Sequence, residues 1–119
     1  IKEIKTFFFY QLQLTCERLI DKVVLDPGFG FAKTAEHNLT ISHNLSELIH
    51  FGCPILVGAS RKSIIGQILG GKPSQDRLIG TVVFHYDALT KGAKILRVHD
   101  VKEAAESISV FNAIQKQSL

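Results

Sequence analysis

The sequence predicts an α/β fold with parallel strands: about three β/α units from the C-terminal portion of a TIM (β/α)8 barrel. Three short apolar runs, Val23–Leu25, Ile55–Val57 and Ala93–Leu96, alternate with stretches of helical spacing. Such alternation implies parallel strands joined by right-handed crossovers. Each run ends in charged residues, often with glycine, which is how open sheets and barrels present chemistry at strand C-termini. The 119 residues make one domain but fall well short of the roughly 250 of a closed barrel. Residues 1–119 are therefore read as a single partial domain.

Ile4, Phe8, Leu12, Cys16 and Leu19 recur at helical spacing, predicting a helix over Ile4–Ile20 with the Phe7–Tyr10 aromatics in the core. Val23–Leu25 follows as a buried strand, and Pro27 ends its pairing. A helix over Asn38–Phe51 turns Leu39, Ile41, Leu45, Leu48 and Ile49 inward and stops at Gly52. Ile55–Val57 is expected to be a strand buried on both faces. Ile64–Leu69 reads as a short helix closed by Gly70 and Gly71, with Ser74 as N-cap of a longer helix to about Leu89. Leu78, Val82, Leu89 and either Phe84 or His85 face inward there. Gly80 weakens that helix, which signals close approach of another element. Gly92 ends it, Ala93–Leu96 is the third strand, and a last helix spans about Lys102–Ala113 before a frayed end over Gln115–Leu119.

Apolar residues make up 45% and charged residues 21%, which suits a soluble globular protein. No apolar run approaches the ~18 residues of a membrane span. The net charge of +3 comes without the basic stripe and interleaved aromatics of a nucleic-acid binder, so neither membrane nor nucleic acid is an expected partner. Cys16 and Cys53 are expected to be reduced core residues of a cytoplasmic protein. Two cysteines without nearby histidines make no zinc site. His37, His43 and His50 lack a metal spacing with a carboxylate, so no metal ligand is assigned. The chain begins at Ile1 inside a helical pattern, which reads as part of a longer polypeptide.

The loop Asp26–Thr34 invites comparison with two phosphate-binding motifs and matches neither. Pro27 and Ala32 occupy the glycine positions of a Walker loop, and Lys33 stands where a dinucleotide fingerprint needs its third glycine. Asp26, directly after a strand, is either a turn former or a ligand-pairing group. In a parallel layout the three strand ends open on one face, bringing together Asp26; Ser60, Arg61, Lys62 and Ser63; and Arg97 and His99. Arg97 and His99 lie two apart and are expected on the same side. An Arg fork beside a His suits phosphate or pyrophosphate oxygens. Lys62 adds a mobile cation, and a buried Asp26 suits the N–H-rich edge of a guanidine-like heterocycle.

Asp26-Pro27-Gly28-Phe29-Gly30-Phe31-Ala32-Lys33-Thr34, Gly58-Ala59-Ser60-Arg61-Lys62-Ser63 and Arg97-Val98-His99-Asp100-Val101, in that order, resemble dihydropteroate synthase, the bacterial folate-pathway enzyme. The resemblance covers nearly the whole chain. It implies a barrel that condenses 6-hydroxymethyl-7,8-dihydropterin pyrophosphate with p-aminobenzoate. It also implies catalytic roles for Asp26, Lys62, Arg97 and His99. Asp26 then grips the pterin's amino-pyrimidine edge, and Lys62 reaches the pterin carbonyl. Ser63 lies near the aminobenzoate carboxylate, where sulfonamides also bind, and Phe31 walls that pocket. Gly58 joins the substrate-binding set, Arg97 and His99 bind pyrophosphate, and Arg61 is structural. Further implications are Mg2+ held by the substrate pyrophosphate and an earlier part of the barrel, a homodimer through the last two long helices, and no full activity for this length alone. Two other readings stay open: a methyltetrahydrofolate-dependent methyltransferase of the pterin-binding barrel group, and a non-catalytic half-barrel scaffold.

Overall fold

A computed structural model describes residues 1–31 and 33–117; Ala32 and the last two residues of the expected frayed end, Ser118 and Leu119, lie outside the described residues. The α-helices are α1 (Lys2–Glu17), α2 (Ala35–His43), α3 (Ser63–Ile68), α4 (Leu78–Thr90) and α5 (Val101–Gln115). The strands are β1 (Ile55–Val57) and β2 (Ala93–Leu96), and two 3₁₀ turns span Leu45–Phe51 and Ser74–Asp76.

The sheet is parallel. Ile55 pairs with Ala93, Leu56 with Ile95 and Val57 with Leu96, with an irregularity after Ile55. Val23–Leu25 is not a full strand: only Leu25 bridges, parallel, to Ile55. Its N–H donates to Pro54 O and its carbonyl accepts from Leu56 N–H. Pro27 and the glycines beyond it turn the chain away before pairing propagates. Three chain segments therefore still lie side by side, in the spatial order Leu25, β1, β2.

Helices cover one sheet face. Leu25, Phe29, Ile41, Leu45, Leu48, Ile55, Val57, Ala88 and Ala93 pack there in one cluster that Phe8 joins from α1. The opposite face is less covered: Leu56 of β1 is half-buried, so burial on both faces holds only in part, and Val24 and Ile95 in the flanking segments are 47% and 38% exposed. Of the α1 aromatics only Phe8 enters the core, edge-on to Phe51 at 5.9 Å. Phe7, Phe9 and Tyr10 are exposed, because a straight helix offers a neighbouring layer one stripe and consecutive residues fan around it. Both cysteines are free; Cys16 is exposed and not the core residue expected, whereas half-buried Cys53 packs against the core cluster.

The helix expected over Asn38–Phe51 divides in two. Thr34 Oγ1 accepts from His37 N–H as N-cap of α2, and α2 ends at Asn44, whose amide donates to Thr40 O. A side chain that bonds nearby backbone competes with helix continuation. The chain resumes as the 3₁₀ turn and stops at Gly52 in the left-handed region, φ 75°. Ser74 does not cap α4 but opens the short turn before it, and α4 starts after Arg77. The close approach expected at Gly80 is present: a Cβ there would sit 2.7 Å from Ile65 Cγ2 and 2.9 Å from Leu69 Cδ1, so α3 packs directly on the α4 backbone.

Gly80→Ala should therefore destabilise the fold by about 1–2 kcal/mol through overpacking, although alanine is the better helix former. Urea denaturation measures this, and a stabilised variant would mean that α3 is not held against Gly80.

Candidate active site

Three loops at the strand C-termini build the site. In the first, Asp26 Oδ1 accepts from Gly28 N–H at 2.9 Å, an Asx turn that glycine completes with φ 73°. Buried Asn38 on α2 accepts from Gly30 N–H through Oδ1 and donates to Thr34 O, tying this loop to the helix behind it. Lys33 Nζ donates to Gly28 O and Phe31 O. Phe31 is 64% exposed with the Lys62 ammonium 4.6 Å from its ring centre, a cation–π arrangement.

The second loop follows β1. Its backbone leaves the sheet at Gly58 and needs partners for groups that no strand pairs. Arg77, the N-cap residue of α4, and Thr81 and His85 on the helix are spaced i, i+4, i+8 and so lie along one face. His85 Nε2 accepts from Ala59 N–H at 3.0 Å, Thr81 Oγ1 accepts from Arg61 N–H at 3.0 Å, and Arg77 Nη1 donates to Arg61 O at 2.8 Å. Arg61 is left-handed at φ 55°, one of two such non-glycine residues among those described. Beyond it Lys62 Nζ donates to Phe29 O at 2.6 Å, bridging the first two loops. Burial, then the charge of Arg97 and less strongly that of Lys33, lowers the Lys62 pKa from its ordinary value against an opposing pull from Asp26. Ser63, exposed, begins α3.

The third loop follows β2. Arg97 N–H still donates to Val57 O, and Arg97 Nη1 donates to Asp26 Oδ2 at 3.2 Å. The guanidinium lies over Gly58, where a Cβ would stand 2.7 Å from Nη2, so Gly58 supplies the space that Arg97 occupies. His99 meets Ser60, whose Oγ accepts from His99 N–H and lies 2.8 Å from Nδ1. Asp100 takes Arg61 Nε and Nη2 in a fork at 2.9 and 2.7 Å. The hydrogen bonds from Arg61 hold Asp100 below the usual carboxylate range.

The strand ends thus bring Asp26, Phe31, Gly58, Lys62 and Arg97 together, with His99 anchored beside them through Ser60. Asp26 is not buried: its side chain is 35% exposed and that of Arg97 54%. Sequence reasoning left Asn38, Arg77, Thr81 and Asp100 without a role and His85 undecided. Their signal was polar residues at inward helical positions, and for Asp100 a carboxylate following the His99 segment.

A family model described as pterin binding enzyme matches residues 1–99. Dihydropteroate synthase of Escherichia coli (strain K12) is 45% identical over 114 residues, covering 93% of this chain and 40% of that protein. Among solved structures, dihydropteroate synthase from Xanthomonas albilineans in complex with 7,8-dihydropteroate superposes with a TM-score of 0.93 at 34% identity, covering 98% of this chain and 47% of that one. The same organism's enzyme with 4-aminobenzoic acid gives 0.95 at 33% identity over 99% of this chain and 44% of that one. The chain spans less than half the length of the curated relatives it matches.

Two predictions follow from the loop geometry. Burial, and secondarily the Lys62 charge, pushes His85 from 6.5 down to about 4. The unfolded chain therefore takes the proton first, and stability present above pH 6.5 falls as pH drops toward 4, by on the order of 3 kcal/mol. Urea midpoints against pH should show that loss, and His85→Gln should flatten it; equal slopes would assign the loss elsewhere. Separately, Gly58→Ala should displace Arg97 from Asp26 and weaken binding of inorganic pyrophosphate, read by calorimetry, while the sheet stays folded.

Proposed function

The chain belongs to the pterin binding enzyme family, and from that premise we propose that the protein carrying it is a transferase of folate biosynthesis with dihydropteroate synthase activity. It condenses 6-hydroxymethyl-7,8-dihydropterin pyrophosphate with p-aminobenzoate, giving 7,8-dihydropteroate and pyrophosphate. The observation that carries this reading is the meeting of three strand ends at one mouth, with Arg97 on Asp26 and Lys62 over Phe31. An exposed ion pair of this kind is worth at most about 1 kcal/mol, so both partners are free to exchange it for a ligand. The product and the aminobenzoate named for the Xanthomonas enzyme complexes support the same substrates here.

An aromatic amine is a weak nucleophile, so the bond from the pterin's methylene to the pyrophosphate oxygen breaks ahead of attack. Pyrophosphate leaves with the electron pair, the amine nitrogen bonds the methylene carbon, and that nitrogen then sheds a proton to solvent. Asp26 accepts hydrogen bonds from the amino-pyrimidine edge and stabilises the cation spread over the pterin. Arg97 and His99 hold the diphosphate oxygens. A Ser60 hydroxyl that donates to His99 Nδ1 leaves Nε2 carrying the ring proton as a donor for them. Lys62 donates to the pterin carbonyl and borders the aminobenzoate, Phe31 walls that ring, and Ser63 lies at its carboxylate. Charges fixed before the reaction stabilise it electrostatically without a covalent enzyme intermediate.

The resemblance adds magnesium. Among the described residues no three His, Cys, Asp or Glu side chains converge to hold a metal ion, so these residues alone do not fit it. Its ligands would be the diphosphate and groups beyond this chain. The barrel is proposed as the continuation of this sheet, and its less covered apolar face supports that. A homodimer is proposed through α4 and α5, supported by Ile79 and Val83, 79% and 61% exposed on α4. No described helix is long and apolar enough to cross a membrane, and we place the protein in the cytoplasm.

The test is dihydropteroate formation by the complete protein and its Asp26→Asn variant. Losing one preorganised charge should lower kcat/KM by about 100-fold with the melting temperature nearly unchanged. Equal loss of turnover and stability would make Asp26 a turn former only.

A further inference from the structure

The loop after β1 contains a residue held at both backbone polar groups and at its guanidinium, to which the functional reading assigns no substrate contact. Arg61 N–H donates to Thr81 Oγ1, its carbonyl accepts from Arg77 Nη1, and its Nε and Nη2 donate to the two oxygens of Asp100. It does so in the left-handed region, at φ 55°, where a side chain is strained unless its surroundings impose the conformation. Its two neighbours are the residues that act: Ser60 is bonded to His99, and Lys62 reaches Phe29 O across the mouth.

We propose that Arg61 is a positioning residue, clamped by Thr81, Arg77 and Asp100 so that Ser60 and Lys62 leave the turn toward His99 and the pterin site. Relaxing φ at residue 61 swings the Lys62 stem away from Gly30, where a Cβ would stand only 3.1 Å from Lys62 Cδ. The fork to Asp100 joins the loops after β1 and β2, so their spacing is set by a planar, two-pronged contact that lysine cannot reproduce. The clamp thereby links the aminobenzoate side of the mouth to the pyrophosphate side. This inference rests on the functional reading above for its substrates, although not for its geometry.

The experiment uses the complete protein with Thr81→Val, Thr81→Ser and Asp100→Asn variants. Two quantities are read: the KM and kcat for each substrate, and the titration of Lys62 by competitive acetylation with peptide mass spectrometry. Lys62 faces Arg97, Asp26 and Lys33, none of which is substituted. Thr81→Val and Asp100→Asn should raise KM for the pterin pyrophosphate on the order of tenfold, the scale of one lost hydrogen bond. They should also move the Lys62 titration up toward that of a solvated lysine, while Thr81→Ser, which keeps the hydroxyl, leaves both in place. A merely structural clamp would lower the melting temperature and leave Lys62 where it was. Folded variants with unchanged Lys62 titration and unchanged KM overturn the proposal. If Thr81→Val does not fold, Asp100→Asn, which alters a partly exposed pair, decides by the same readings. If the unsubstituted protein makes no dihydropteroate, the functional reading fails by itself, and the Lys62 titration still decides the clamp.

Discussion

The turn that leaves β1 depends on a helix for its hydrogen bonds. Past Val57 the backbone abandons the sheet while Gly58, Ala59 and Ser60 remain buried, and each unpaired buried group would cost about 1–3 kcal/mol. The polar stripe of α4 meets that demand at three atoms, Ala59 N–H, Arg61 N–H and Arg61 O. In exchange α4 gives up apolar burial along its inner face. The site follows from this, because a turn held at three points cannot rotate, and the directions of Ser60 and Lys62 are then fixed by backbone rather than by ligand.

The other two loops use shorter-range versions of the same solution. Asp26 closes its own turn on Gly28, Asn38 reaches forward from α2 to Gly30, and Lys33 staples two carbonyls. Gly58 contributes by having no side chain, so that the Arg97 guanidinium lies against the strand end. The outcome is a mouth with Lys33, Lys62 and Arg97 around one carboxylate. That excess of positive charge favours an anionic ligand in an open, water-facing setting, where isolated ion pairs are weak and a multivalent anion engages several cations together.

Glycine and strand-end chemistry were legible in the sequence. Gly52, Gly80 and Gly92 act where the sequence placed them. Thr81 and Asn38 were not legible: they sit where a hydropathy stripe expects apolar groups, and only knowledge of which backbone atoms lack partners identifies them, whereas His85 was one of two candidates for the inward position it takes. The reverse error affects α1 and Val23–Leu25. Apolar content suggested burial for Phe7, Phe9, Tyr10, Cys16 and Val24, but burial needs a second surface, and periodicity does not say whether one is present. Asp26 could be read either as turn former or as ligand group because it has two oxygens, one in the Asx turn and one on Arg97.

The less covered side of the sheet bears on the same question. Leu56 and Ile95 are register partners and so share a face, while Leu25, Ile55 and Val57 pack against helices on the other. Val24, adjacent to Leu25, belongs by alternation with Leu56 and Ile95. Three neighbouring segments therefore turn apolar side chains away from the face that the core cluster covers, although polar residues would cost nothing on a solvated face. Strands apolar on both sides are the signature of parallel sheets covered on both sides. In the proposed barrel that second cover is the packed interior formed by the remaining strands. The open mouth and the less covered face are then two views of one geometry, since closing the sheet around its interior would also bring further walls to the ends where Asp26, Lys62 and Arg97 meet.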